Sequence, residues 1–247
     1  MSGTALPPSE RLATGVHALW SRPVTERDGT DLVLVFHGYG TNERRAGARF
    51  FPMLPERCTG LALRGGLEID AGATEGLPDD PGAWGWFLLD LSLKGEFSQV
   101  LAAVHRVYDV LADEAVTRHR FRSVSVLGFS QGMAMATTAI RVRPESFVCG
   151  VGLAGFVLQD ALLETLDSPP EGPGPRPFFW GRDPDDPVIH DGAIAYTDHW
   201  VQEHTRLTAR TYPGILHAVS PEMGRDVRIF LELSLIHISE PTRRTPI

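Results

Sequence analysis

Short, nearly continuous apolar runs alternating with segments of helical period constrain this chain more than any other feature. The runs cover residues 31–37, 123–128, 147–153, 177–181 and 208–212, with weaker candidates at 16–20 and 60–64. Most of these are too short for a helix and lack the polar alternation of a half-exposed strand, so they read as strands covered on both faces. Between them, residues 97–111 place Phe97, Val100, Leu101, Val104, Val107, Tyr108 and Leu111 on one side of a helix. Residues 131–142 and 193–203 read as two more helices. A last one opens at Ser220-Pro221, a capping residue followed by proline at the first helical position, and runs through Val227, Phe230 and Leu231. Strands alternating with helices predict an α/β fold: one mostly parallel sheet with helices on both faces. Two irregular segments, 65–85 and 167–177, read as long loops within that sheet.

The 247 residues are enough for one sizeable domain with a continuous core. With 43% hydrophobic and 22% charged residues the chain reads as globular, neither disordered nor fibrous. A net charge of −8 offers no attraction to nucleic acid or to an anionic membrane. Cys58 and Cys149 are the only two cysteines, and Cys149 in its apolar run reads as a buried, reduced thiol. The first residues lack the apolar core of a secretory signal and no run approaches membrane-spanning length, so a cytoplasmic location is expected. Residues 233–243, LSLIHISEPTR, resemble the in-frame translation of a transposase-type sequencing adapter. The expected organisation is therefore an N-terminal extension over 1–14, a catalytic domain over 15–232 and an artefactual tail over 233–247. His237, in that tail, carries no functional weight.

The sharpest local signal is Gly128-Phe129-Ser130-Gln131-Gly132, a GxSxG pattern between an expected strand and an expected helix. In that setting the glycines allow a tight turn that pushes the serine hydroxyl out at the top of the sheet. His37-Gly38-Tyr39-Gly40, directly after the first strong strand, resembles an HGxG turn. Its small residues let backbone approach a substrate, and the N–H groups of Tyr39 and Gln131 become candidate donors to a developing oxyanion.

A serine hydroxyl is a poor nucleophile until a base takes its proton, and that base is usually a histidine oriented by a carboxylate. In α/β hydrolases these follow the serine in the order acid, then histidine. Asp183, Asp185 and Asp186 all follow the strand at 177–181, and spacing alone does not separate them. Gly214-Ile215-Leu216-His217 follows the strand at 208–212 and makes His217 the candidate base. His199 and His204 fall on or at the end of a helix, and His190 lies too close to the aspartates to complete the order.

Residues 15–231 as a whole resemble the phospholipase/carboxylesterase family of small α/β hydrolases, which includes acyl-protein thioesterases and bacterial carboxylesterases. That resemblance implies that Asp186, in Asp186-Pro187-Val188-Ile189, is the orienting acid. Asp185 remains the alternative, because the loop has extra residues after Gly181 and ends in Ile189 where the family often has proline. The Trp86-Phe87 pair resembles one near the family's acyl site, so both residues are expected as an acyl-pocket wall. The implied activity is hydrolysis of short to medium acyl esters through an acyl-enzyme. Acyl-thioesterase or lysophospholipase activity, and a non-catalytic binding module on the same fold, are the alternatives. No metal or organic cofactor is implied, since no ligand cluster, phosphate loop or dinucleotide fingerprint occurs. The expected partner is a small-molecule ester, without nucleic acid or stable membrane insertion; a homodimer is left open.

Overall fold

The computed structural model describes residues 6–69, 80–167 and 175–236. In chain order the elements are β1 (Glu10–Arg11), β2 (His17–Trp20), β3 (Asp31–Phe36), α1 (Glu43–Phe50), β4 (Cys58–Leu63), β5 (Leu67–Ile69) and β6 (Ala83–Gly85). Then come α2 (Phe97–Ala112), α3 (Glu114–Thr117), β7 (Val124–Phe129), α4 (Gln131–Val142), β8 (Gly150–Leu153) and α5 (Ala161–Glu164). The last four are β9 (Arg176–Arg182), α6 (Asp191–His204), β10 (Thr205–Thr211) and α7 (Pro221–Ile236).

Eight strands form one sheet in the order β1-β2-β4-β3-β7-β8-β9-β10. The six from β4 to β10 run parallel, and β2 and β1 add an antiparallel edge. This is the expected sheet, and the two weaker strand candidates belong to it as β2 and β4.

Why the runs are apolar throughout is visible in β3, where side chains alternate between the faces. Leu32, Leu34 and Phe36 join a core with Val100, Val104 and Val107 of α2 and Met133 and Ala136 of α4. Val33 and Val35 join a second core with Ala46 and Phe50 of α1 and Val227 and Leu231 of α7. Each face is thus closed by helices, and a polar residue on either side would have met only hydrocarbon. Burying one such side chain stabilises the fold by about 1.5–3 kcal/mol.

Helix α1 is absent from the pattern-based reading, because ERRAGARF has too little apolar content to show a stripe. Its start is set by Asn42, whose side-chain oxygen accepts the N–H groups of Arg44 and Arg45. The segment read as an irregular loop over 65–85 contains β5 and β6, paired antiparallel in a small second sheet; residues 70–79 lie outside the described residues, as do 168–174 of the second loop. Helix α6 begins at Asp191, two residues before the expected start, because His190 caps it by accepting the N–H of Ala193. Thr205 opens β10 directly after α6, with its hydroxyl on the Val201 carbonyl.

Within the segment expected as an extension, Glu10–Arg11 pair with β2 and Leu12 is buried. Of the segment expected as an adapter remnant, residues 233–236 form the last turn of α7 with Leu235 buried, while 237–247, including His237, lie outside the described residues. Cys58 and Cys149 are buried free thiols, and burial pushes both up to about 12. No helix among the described residues is long and apolar enough to cross a membrane.

Candidate active site

Ser130 sits between β7 and α4 with φ 54° and ψ −121°, a conformation that L side chains rarely adopt. Packing holds it there. Its N–H donates to the Leu153 carbonyl at the end of β8. A Cβ on Gly128 would lie 2.0 Å from the Gly132 carbonyl oxygen, and one on Gly132 would lie 2.1 Å from the Phe36 carbonyl oxygen. Both glycines of the pattern therefore exist because backbone occupies the space that a side chain would need.

A continuous hydrogen-bond chain runs from this hydroxyl. His217 Nε2 lies 3.0 Å from Ser130 Oγ, and His217 Nδ1 lies 2.7 Å from Asp186 Oδ2. An ionised carboxylate only accepts, so Nδ1 carries the proton toward Asp186 and Nε2 is left to accept from Ser130. Asp186 Oδ1 accepts the N–H of Val188, which fixes the plane of the carboxylate. The Asp186 side chain is 2% exposed and that of His217 is 19% exposed, so the pair is shielded while the serine side remains reachable. The His217 ring also packs on Phe129, with centroids 5.1 Å apart.

Asp185, the alternative acid, is exposed on the surface of the same loop. Asp183 is fully buried and accepts two backbone N–H groups, from Asp185 at 2.9 Å and from Leu216 at 2.6 Å. Those N–H donors, that of Asp185 first, hold its carboxyl below the usual carboxylate range. Leu216 has φ 55° and Gly214 has φ 84°, so the turn before His217 is itself unusual backbone. Pattern reading weighed Asp183 only as an acid; its bond to the histidine turn has no signature in the sequence. Of the competing histidines, His190 caps α6, and His199 and His204 lie beside Glu203.

The turn after β3 is braced from several sides. His37 is fully buried, and burial lowers its pKa to about 4. Its Nε2 accepts the N–H of Gly65, which leaves Nδ1 to donate to the Gly38 carbonyl. The Trp86 indole N–H donates to the His37 carbonyl, and the N–H of Gly40 donates to that of Trp84. The backbone N–H groups of Tyr39 and Gln131 donate to no protein group among the described residues. A Cβ on Gly38 would lie 3.3 Å from Ser130 Cβ, so the turn passes directly beside the serine.

Trp86 and Phe87 are core residues, 7% and 1% exposed. They line a cavity of about 210 Å3 with Leu63, Leu67 and Val107, and neither Ser130 nor His217 lines it. The fully buried side chain of Gln131 accepts the N–H of Trp86 and donates to the carbonyl of Phe87. This bridge explains a polar residue at the start of a buried helix, and only the fold discloses it. No cluster of three metal-ligating side chains occurs among the described residues.

A mostly parallel sheet with helices on both faces, carrying a half-buried serine on a strand-to-helix turn, is the α/β-hydrolase fold. The chain belongs to the phospholipase/carboxylesterase family, whose pattern matches residues 24–235. It is 25% identical over 124 residues to carboxylesterase SOBER1 of Arabidopsis thaliana, a match covering 50% of this chain and about half, 54%, of that relative. The carboxylesterase structure from Mesorhizobium loti superposes with a TM-score of 0.70 at 16% identity, covering 92% of this chain and 99% of the other. The structure of SOBER1 gives 0.67 at 18% identity, covering 83% and 99%. At such identities the structural likeness speaks for the fold.

Proposed function

We propose that this chain hydrolyses short to medium acyl esters through a serine-bound acyl-enzyme. The observation that carries the reading is the unbroken chain from Ser130 Oγ through His217 to Asp186. In this reading Ser130 attacks the ester carbonyl while His217 Nε2 takes its proton. The tetrahedral oxyanion is held by the N–H groups of Tyr39 and Gln131. Collapse returns the proton from His217 to the departing alcohol, and water repeats the sequence on the acyl-enzyme to release the acid. Asp186 keeps the imidazole in the useful tautomer and stabilises it when protonated. Loss of one oxyanion donor costs about 3 kcal/mol in comparable enzymes. Trp86 and Phe87 act through Gln131, whose side chain ties their backbone to the residue that supplies a donor.

Hydrolysis of p-nitrophenyl acetate and butyrate by the wild type, Ser130→Ala and His217→Ala tests the proposal. Turnover lost in both variants supports it; full turnover by Ser130→Ala sinks it. A fluorophosphonate probe that fails to label Ser130 would instead favour a non-catalytic binding module. Comparing kcat/KM for matched esters and thioesters separates esterase from thioesterase.

A further inference from the structure

The cleft beside the oxyanion turn has a charge pattern that simple ester hydrolysis does not use. It measures about 540 Å3 and is lined by Gly38, Tyr39, Arg45, Arg49, Phe50 and Phe129, among others; no Asp or Glu among the described residues lines it. It adjoins the serine, since Phe129 precedes Ser130 and Gly38 passes beside the Ser130 side chain.

Helix α1 supplies the charge through Arg45 and Arg49, in a chain whose net charge is −8. Arg45 is balanced by Asp80, with Nε 2.7 Å from the carboxylate, yet its Nη2 has no hydrogen-bond partner among the described residues. Arg49 meets no carboxylate among the described residues. Its contacts are a 3.5 Å bond to the Val219 carbonyl and the face of Phe129, 5.4 Å from the guanidinium carbon. Burial pulls its pKa below the usual arginine value, but the group remains a cation at neutral pH. Most of its five donors are therefore free to meet the two oxygens of a planar anion.

We propose that this cleft is a subsite for a carboxylate on the substrate, with Arg49 as the residue that selects it. The inference rests on the ester-hydrolase reading and names the substrate class, esters with a free acid on the acyl or the alcohol part.

Two matched pairs separate those sources: monomethyl glutarate against methyl valerate, and 3-acetoxybenzoate against phenyl acetate, by kcat/KM. The wild type is expected to favour the acidic member of one pair. Arg49→Gln should lower that preference about tenfold or more, the usual weight of a charge-assisted hydrogen bond, and Arg49→Lys should restore part of it. Equal kcat/KM within both pairs, or a preference that Arg49→Gln leaves untouched, overturns the proposal. If no ester is turned over, the esterase reading fails separately, and calorimetric titration with glutarate still decides the cleft. Binding weakened about tenfold in Arg49→Gln supports the subsite; no binding by the wild type overturns it.

Discussion

The Asp183 carboxylate accepts the N–H of Leu216 at 2.6 Å, and so ties the loop that carries Asp186 to the turn that carries His217. Its other oxygen takes the N–H of Asp185 in its own loop. An amide at this position offers one acceptor where two are used, so Asp183→Asn breaks one of these bonds. Misplacing His217 by a fraction of an ångström is expected to lower kcat about 10- to 100-fold with KM little changed. Steady-state kinetics with p-nitrophenyl butyrate, beside a thermal melt, decide it. A variant that melts earlier but keeps its kcat would show that the bond serves stability alone.

Asp186→Asn is expected to cost about 10⁴ in kcat, the loss seen when the orienting aspartate of a comparable serine enzyme is made neutral. Asp185→Asn, on the surface of the same loop, should stay within about twofold of wild type. The reverse result would transfer the orienting role to Asp185.

Gly132→Ala places a methyl group on the Phe36 carbonyl, backbone against backbone, where no rotamer gives relief. We expect a loss of about 3 kcal/mol in urea unfolding together with loss of turnover. Gly40→Ala is the contrast, since its Cβ meets nothing within 4 Å and only φ 75° opposes it. A loss of about 1–2 kcal/mol is expected there. Equal losses would mean that backbone conformation, not close approach, explains both glycines.

His37 predicts acid sensitivity. Its folded pKa, about 4, lies below the ordinary histidine value of 6.5, so the unfolded chain binds the extra proton first as pH falls. Stability is thus complete above about pH 6.5 and declines toward pH 4, by about 3 kcal/mol from this group. Urea unfolding at pH 7, 5.5 and 4.5 should show the decline, and His37→Asn should flatten it. An unchanged slope in that variant would assign the sensitivity to other groups.

The sheet and the order of serine, acid and histidine were legible because each leaves a local mark: doubly buried strands are apolar throughout, and the turns carry glycine. Spacing alone did not separate Asp183, Asp185 and Asp186; only the family resemblance pointed to Asp186, the carboxylate that lies 2.7 Å from His217. All three sit at the end of one strand, and which carboxylate meets His217 depends on how the 182–189 loop folds back. Helix α1 escaped because its buried face is only Ala46, Gly47 and Phe50 beyond a buried Glu43. Gln131 could be read as backbone but not as a brace, since its side-chain partners lie 44 and 45 residues earlier in the chain.

Tyr39, Ser130, Asp186 and His217 each follow a different strand: β3, β7, β9 and β10. No one strand–helix unit holds two of them, so a partly folded chain has nothing resembling a weak site. Appearance of turnover during refolding would therefore report that β3, β7, β9 and β10 are all in place in one sheet.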